Sequence, residues 1–216
     1  MMGRMAPDDQ AVALRPAATI VVVRSAGAGV EVLVLRRSLA SRFVPGFVVF
    51  PGGAIDAGDD ALAARWFGTP DERARACAIR ELGEEAGLVL SRRGVEPAAA
   101  GSFESPRFDP PAREQLPQIG RWIAPEFMPV RFDAWFFAAR CPGGIEPTVD
   151  GTEVDAAWWA WPADVLDGHR AGQVALAWPT LKTVEALAAC ASVRDVLDLR
   201  IEQASPADAR PGGGQP

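Results

Sequence analysis

Apolar residues in the first half of the chain come in short runs that are typical of β-strands. Residues 17–24 are continuously apolar and rich in β-branched side chains, which predicts a buried central strand. Residues 30–37 alternate for part of their length after a glycine-containing turn, so the two runs predict a β-hairpin. The runs at 120–125 and 131–140 predict two more strands, the second with three consecutive aromatic residues.

Later in the chain the apolar positions change to helical spacing. Residues 151–162 predict a strand, Pro162 then opens a helix, and residues 179–189 and 192–203 predict two further helices. The proline-rich residues 97–117 predict a loop with one short helix. Short strands mixed with helices that pack on their faces indicate a layered α/β fold.

The segment from residue 69 to residue 88 predicts a helix with one strongly acidic face. Glu81, Glu84 and Glu85 stand at i, i+3 and i+4, so three carboxylates share that face. Like charges at this spacing destabilise a helix by about 0.2–0.5 kcal/mol per pair, and a hard divalent cation removes the conflict. The face is therefore a candidate site for Mg²⁺ or Mn²⁺, and the simpler alternative is an acidic face that is only solvated.

The other face and the ends of this segment support the helix. An apolar stripe of Ile79, Leu82 and Ala86 is expected to lie on the core. Gly87 is expected to end the helix in the left-handed conformation. The predicted starting residues are Thr69 as N-cap, Pro70 at the first helical position and Glu72 as the acid of a capping box.

Upstream of the helix, the apolar run FVVF ends in a sharp turn. Gly52 and Gly53 in this turn predict a close approach of the backbone to another group. Arg36, Arg37 and Arg42 precede the turn, and each is a candidate phosphate contact because guanidinium binds phosphate bidentately. Solubility is the alternative role for each arginine.

Strand, glycine turn, acidic helix and terminal glycine together resemble the signature of the Nudix hydrolases. That motif is a glycine, five residues, Glu, seven residues, Arg-Glu, an aliphatic residue, any residue, Glu-Glu, any residue, Gly and an aliphatic residue. The chain matches every fixed position from the first glutamate onward. The matching residues are Glu72, Arg80, Glu81, Leu82, Glu84, Glu85, Gly87 and Leu88.

The chain departs from the motif before Glu72, where eighteen residues rather than five follow Gly53. Residues 54–71 are interpreted as an insertion with a short helical piece, which Trp66 and Phe67 anchor and which is expected to shape the substrate pocket. A stretched motif of this kind, with its flanking segments, resembles the branch of the family that includes the peroxisomal coenzyme A diphosphatases of animals.

The resemblance implies a Nudix-type α/β/α sandwich and hydrolysis of a diphosphate bond in a nucleoside diphosphate linked to another group. It implies that Glu81, Glu84 and Glu85 hold Mg²⁺ or Mn²⁺. The implied catalytic residues are Glu84, Glu85, Arg80, which would orient the glutamates, and Glu153, a further metal ligand or the base. The residues expected to bind the substrate are Arg36, Arg37, Arg42, Gly52, Gly53, Phe132 and Trp135. One of Trp122, Phe132 and Trp135 is a candidate to stack on a nucleobase, and the alternative is that these rings belong to the core.

Composition limits the domain organisation and the partners. The 216 residues, 49% of them hydrophobic, predict one domain over 17–203, between a flexible segment 1–16 and a disordered tail 204–216. The net charge of −6 disfavours a broad nucleic-acid binder, so the expected partner is a small nucleoside diphosphate derivative. Three scattered cysteines and the single His169 give neither a disulfide framework nor a zinc site.

The chain shows no signal peptide and no membrane helix, so we expect a cytoplasmic protein without a membrane partner, and a homodimer stays open. Two rivals to the enzyme are a non-catalytic nucleotide-sensing or regulatory Nudix module and an interaction protein with no site. The intact acidic motif favours the enzyme. The group attached to the diphosphate is left open among coenzyme A, ADP-ribose, NADH, nucleotide sugars and capped RNA ends.

Overall fold

The computed structural model describes residues 12–41, 44–99, 103, 105, 107–149 and 151–203. The strands in these residues are β1 (Leu14–Ala26), β2 (Gly29–Arg37), β3 (Phe47–Val49), β4 (Gly52–Ala54), β5 (Leu88–Ser91), β6 (Gly94–Pro97), β7 (Gln118–Ile123), β8 (Arg131–Arg140), β9 (Val154–Ala160) and β10 (Ala175–Leu176). The helices are α1 (Ala57–Phe67), α2 (Arg73–Ala86), α3 (Pro162–Arg170), α4 (Trp178–Ala188) and α5 (Val193–Leu197). Short 3-10 turns lie at Pro70–Glu72 and Arg113–Gln115.

Eight of the described strands form one mixed sheet around β1. β1 runs parallel to β8, from Leu14 opposite Arg131 to Val23 opposite Arg140. It is antiparallel to β2 near its end and to β4 near its start. The strand order is β10-β3-β2-β1-β8-β7, with β4 paired to β1 and β9 paired to β2, while β5 and β6 form a separate hairpin. The predicted central strand and hairpin are confirmed.

Both faces of the sheet are covered by helices, because alternate residues of the central strands are apolar on both sides. Ile20 and Leu33 face a core that contains α1 and α2. Val21 and Val32 face a second core that contains α3, α4 and α5. The predicted α/β/α sandwich with a mixed sheet is confirmed. No helix within the described ranges is long and apolar enough to cross a membrane.

The start of α2 differs from the prediction. Thr69 caps the 3-10 turn by accepting a hydrogen bond from the Asp71 N–H, and α2 itself begins at Arg73. Glu72 closes no capping box, so that prediction is wrong. Its carboxylate is instead paired with Arg75 and, at 2.6 Å, with Arg113 Nε. Burial raises the pKa of Glu72, but the bonds from these two arginines outweigh it and hold the pKa below its usual value.

The last predicted helix, 192–203, is shorter than expected. Ser192 caps α5, which ends at Leu197, and the chain then extends so that Ile201 pairs with the outer strand β7. The Ile201 N–H donates to the Ile119 carbonyl at 2.7 Å. An edge strand offers unpaired backbone groups, and this pairing outweighs another helical turn. Residues 1–11 of the predicted flexible segment and the predicted disordered tail 204–216 lie outside the described residues.

The two glycines that end α1 and α2 provide a matched test of packing at the end of α2. Gly68 and Gly87 both have positive φ, 77° and 61°. A Cβ on Gly87 would lie 2.1 Å from Thr148 Oγ1, whereas one on Gly68 would meet nothing within 4 Å. We expect Gly68→Ala to cost about 1–2 kcal/mol from backbone strain alone, and Gly87→Ala to cost roughly 1–3 kcal/mol more. Urea unfolding of both variants measures the difference, and equal losses would show that the Thr148 contact adds nothing.

Candidate active site

The three predicted acids of α2 lie in the second half of the helix, and two of them reach residues 51–53, the glycine turn. The chain bends at Pro51, and Gly52 and Gly53, which were predicted in the turn, already belong to strand β4. The Glu85 side chain is 5% exposed and the Glu84 side chain is 50% exposed. Glu81 is nearly buried against Gly53. This end of α2 therefore presents one open carboxylate and two enclosed ones.

Glu85 is held between the turn and β2. The Gly52 N–H donates to Glu85 Oε2 at 2.9 Å, and Arg37 Nη1 donates to Oε1 at 3.4 Å. Burial raises the pKa of Glu85 to about 8. The Gly52 hydrogen bond and Arg37 act in the opposite direction, while Glu81 and Glu153 raise the pKa further. The hydrogen bonds and the Arg37 charge therefore do not offset the cost of burying the Glu85 carboxylate, and its pKa stays raised.

Glu81 explains why position 53 is glycine. A Cβ at Gly53 would lie 2.3 Å from Glu81 Oε1, closer than two non-bonded atoms can approach. Gly52 is equally confined, because its Cβ would lie 2.5 Å from the Ala18 carbonyl oxygen. The predicted close approach of the glycine turn to another group is thus present, and the group is the Glu81 carboxylate. Burial raises the pKa of Glu81 to about 7 in spite of the nearby Arg80.

Arg80 links the acids to the helix α1. Its Nη1 donates to Glu81 Oε1 and to Glu84 Oε2, each at 2.8 Å. Its Nε and Nη2 bind Asp59 of α1 at 2.9 Å and 3.0 Å. Burial lowers the pKa of Arg80, but the hydrogen bonds and charges of Asp59 and Glu81 outweigh it, so the net pKa is raised and the guanidinium stays charged.

Two other predicted residues lie beside this cluster. Arg37 contacts Glu85, donates to Ser41 Oγ, and has its Nη2 3.8 Å from Glu153 Oε2. Glu153 precedes β9, and its side chain is 74% exposed. The structure therefore brings Arg37 and Glu153 to the side of the sheet that carries the α2 acids.

The remaining predicted substrate residues are not all brought together. Arg36 is exposed, and alternation along β2 places it with Val34 on the face opposite Arg37. Phe132 lies on β8, on the face opposite Trp135. Arg42 lies outside the described residues.

Trp135 does share the face of the acids. It lies opposite Ala18 of β1, which lies opposite Gly53, so two strand spacings, about 10 Å, separate Trp135 from the glycine turn. The Arg121 guanidinium stacks on the ring, 4.6 Å from its centroid. Trp135 also lines a cavity of about 530 Å³ at the start of α2. Other residues of its wall are Ile55, Asp60, Arg73, Arg75 and Phe137.

The donor set at the end of α2 fits a hard divalent cation. Four carboxylates face two guanidinium groups: Asp59, Glu81, Glu84 and Glu85 against Arg37 and Arg80. Carboxylate oxygens are the ligands that Mg²⁺ and Mn²⁺ take in proteins. In the part of the chain that the structure describes, no three such side chains are already grouped as a metal site. The reason is visible in the contacts, since Glu81 and Glu84 are turned towards Arg80.

Asp59 is a residue of the site that sequence reasoning missed. An aspartate in the first turn of a helix within an insertion looks like an ordinary helix-start acid. The sequence did carry one signal for Asp59, namely its spacing along the chain. Five residues separate Gly53 from Asp59, as in the family motif.

Comparison with known proteins finds similarity over nearly the whole chain in a solved structure and over part of the chain in curated relatives. No model of a protein family matches the chain. The crystal structure of a Nudix hydrolase from Alicyclobacillus acidocaldarius is 33% identical, with a TM-score of 0.74 over 88% of this chain and 98% of that chain. A Caenorhabditis elegans protein named nudix hydrolase 7 is 27% identical over 165 residues, covering 69% of this chain and 52% of that protein. An acyl-coenzyme A diphosphatase of Gallus gallus is 34% identical over 131 residues, covering 43% of this chain and 33% of that protein.

The fold and the acidic helix beside a glycine turn define an α/β/α sandwich of the Nudix type. Because the Alicyclobacillus protein is 33% identical and almost completely covered, the chain belongs to the Nudix hydrolase family, whose general chemistry is hydrolysis of diphosphate bonds. The predicted family is confirmed. The chain spans about half or less of the length of these two curated relatives.

Gly53 offers a test of the role of Glu81. In Gly53→Ala the new methyl group would displace the Glu81 carboxylate, which is nearly buried and bonded to Arg80, so we expect a stability loss of about 1–3 kcal/mol with the fold retained. Hydrolysis of a diphosphate substrate should fall roughly tenfold or more, as expected when a metal-site carboxylate is moved. Gly143→Ala is the control, because its Cβ would meet nothing within 4 Å. A Gly53→Ala protein with full activity would contradict the role of Glu81.

Proposed function

We propose that this chain is a divalent-metal-dependent hydrolase that cleaves the diphosphate bond of a nucleoside diphosphate linked to another group. One observation carries the proposal. Glu85 accepts a hydrogen bond from the Gly52 amide while Glu81 lies against Gly53, so the acids and the glycine turn form one continuous surface. A diphosphate beside the turn would lie next to the carboxylates that hold its counter-ion.

The proposed metal ligands are Glu81, Glu84 and Glu85, with Mg²⁺ or Mn²⁺ as the ion. When bound, the ion would neutralise diphosphate oxygens and lower the pKa of a water molecule. Glu84 is half exposed, so its carboxylate can turn away from Arg80 at little cost. Arg80 then keeps its contacts with Asp59 and Glu81, and it orients the enclosed ligand.

The proton acceptor is proposed to be Glu84 or Glu153. Both oxygens of Glu85 already accept hydrogen bonds, one from Gly52 and one from Arg37. The Glu84 and Glu153 side chains are exposed, so either carboxylate can take a proton from a water molecule at the surface of the site. Arg37 lies between Glu85 and Glu153, where its positive charge favours a phosphate group as well as both carboxylates.

The substrate is proposed to extend from the glycine turn across the sheet to Trp135. The ring offers a stacking surface for a nucleobase. The wall of the cavity beside it contains Arg73 and Arg75 together with Asp60 and Glu72, with which they pair. A coenzyme A or acyl-coenzyme A substrate contains an adenine, a ribose phosphate and a diphosphate. The adenine would stack on the aromatic ring, the ribose phosphate would contact the arginines, and the diphosphate would lie at the acidic site. The named activity of the Gallus gallus relative supports this choice, as does the resemblance of the stretched motif to coenzyme A diphosphatases.

We also propose that the protein works in a reducing compartment, the cytoplasm. Cys77, Cys141 and Cys190 are all free thiols in the structure. Burial raises the pKa of Cys141 to about 11, which keeps it protonated and unreactive.

The proposed activity is tested with a panel of diphosphates and a matched pair of variants. We expect coenzyme A or acyl-coenzyme A to be cleaved in Mg²⁺ or Mn²⁺ into two phosphorylated halves, and chelation by EDTA to stop the reaction. Glu84→Gln should lower kcat roughly a hundredfold, because it removes charge stabilisation worth several kcal/mol, and it should unfold normally because the side chain is half exposed. Product release followed by chromatography measures both results.

The control for Glu84→Gln is Glu126→Gln, which removes an exposed acid from a turn between β7 and β8. Its activity should equal that of the wild type. Cleavage of ADP-ribose, NADH or a nucleotide sugar in preference to coenzyme A would keep the enzyme and overturn the substrate. Tight nucleotide binding without cleavage of any diphosphate would favour the sensing module instead.

A further inference from the structure

Asp59 is a fully buried aspartate, 0% exposed, in the first turn of α1. Arg80 Nε donates to its Oδ1 at 2.9 Å, and Arg80 Nη2 donates to its Oδ2 at 3.0 Å. A buried carboxylate is costly unless it is paired and hydrogen-bonded. The bidentate pair with Arg80 supplies that compensation, so the buried start of α1 is placed by its contact with α2.

The same pair decides where the rest of the Arg80 side chain points. A guanidinium is planar, so binding Nε and Nη2 to one carboxylate fixes the direction of Nη1. Nη1 donates to Glu81 Oε1 and Glu84 Oε2, both at 2.8 Å. Asp59 therefore sets the positions of two proposed metal ligands through Arg80.

Two acids compete for the place of the first glutamate in the Nudix motif. Seven residues lie between Glu72 and Arg80, and five residues lie between Gly53 and Asp59, so each acid satisfies one of the two spacings of the motif. The carboxylate of Glu72 is bound by two other arginines, and about 12 Å of helix axis separates residue 72 from residue 80. Of the two acids, Asp59 is the one that binds Arg80.

We propose that Asp59 is the positioning residue of the site, and that the extra chain of the motif follows Asp59 instead of preceding Glu72. The inference rests on the proposed function, because it assigns a role at the same site. Twenty residues separate Asp59 from Arg80, where the motif has seven between its acid and its arginine. The additional residues complete α1, pass through the 3-10 turn and return to the start of α2.

Asp59 also has a structural role in α1, which differs from its proposed role in positioning Arg80. Asp59 Oδ2 also accepts a hydrogen bond from the Asp56 N–H at 3.0 Å, which closes a capping box on α1. Asp56 forms the other half of the box by accepting from the Gly58 and Asp59 N–H groups. Asp56→Ala therefore damages the same cap without removing the partner of Arg80, and it is the matched control.

The test compares Asp59→Asn with Asp56→Ala and Glu72→Gln. Binding of Mn²⁺ alone is measured by electron paramagnetic resonance of the free ion, and kcat and KM are measured on the best diphosphate substrate. We expect Asp59→Asn to weaken Mn²⁺ binding and lower kcat, each by roughly 10- to 100-fold, with KM within about twofold of wild type. Asp56→Ala and Glu72→Gln should lower only the melting temperature.

A double variant checks that Asp59 acts through Arg80. Arg80→Lys keeps the charge but cannot form the bidentate pair, so it should show the same loss of Mn²⁺ affinity. Asp59→Asn combined with Arg80→Lys should then be no worse than Arg80→Lys alone, because both changes break one interaction. Additive losses would overturn the proposed route from Asp59 to the ligands.

Normal Mn²⁺ affinity and kcat in Asp59→Asn would overturn the proposal, and so would their loss in Glu72→Gln. If Asp59→Asn does not fold, Asp59→Glu keeps the charge while moving the guanidinium, and weakened Mn²⁺ binding in that folded variant supports the proposal, whereas normal binding overturns it. A wild-type protein that binds Mn²⁺ but cleaves no diphosphate would overturn the proposed function. The comparison of Mn²⁺ affinities would still decide the role of Asp59.

Discussion

The site depends on how buried carboxylates are stabilised on a helix that packs against the core. α2 packs its apolar stripe into the core, yet Glu81 and Glu85 on its other side are also almost enclosed, as is Asp59 on α1. An enclosed carboxylate without a partner costs far more than a surface one. Arg80 and Arg37 are the cations that make this arrangement tolerable, and the Gly52 amide adds a neutral donor. The glycine turn, α1 and β2 are arranged around that requirement.

The segment of residues 54–71, which follows Gly53, is packed against the rest of the domain. Trp66 packs on Phe108, with ring centroids 5.0 Å apart, and Arg113 Nη2 donates to the Phe67 carbonyl at 2.9 Å. Arg113 also holds Glu72, so one side chain joins the end of α1 to the start of α2. Near the start of the segment, Asp59 is bound by Arg80, so the segment is held at both ends and has few alternative positions. It can define the wall of a cavity in a way that a mobile loop cannot.

Local periodicity accounts for what could be predicted from the sequence. The central strand, the hairpin, the acidic face of α2 and its glycine end all follow from spacings within a few residues. The different faces of Arg36 and Arg37 could have been predicted too, by continuing the alternation of Leu33 and Leu35. The parallel pairing of β1 with β8 could not, because it joins residues far apart in the chain. The acid that binds Arg80 could have been found only by counting the motif spacing forward from Gly53. Glu72 has a good capping position, but Arg75, three residues later, and Arg113, which the fold brings in, bind its carboxylate more strongly.

The end of α2 has a consequence for local opening of the protein. The Thr148 N–H donates to the Ala86 carbonyl at 2.8 Å, and the Ala98 N–H donates to the Gly87 carbonyl at 2.8 Å. Two separate segments thus satisfy the last carbonyls of the helix, and one of them leads on to Glu153. Local opening at Thr148 therefore has to break a hydrogen bond to the end of a core helix, so this point of the connection is anchored to α2.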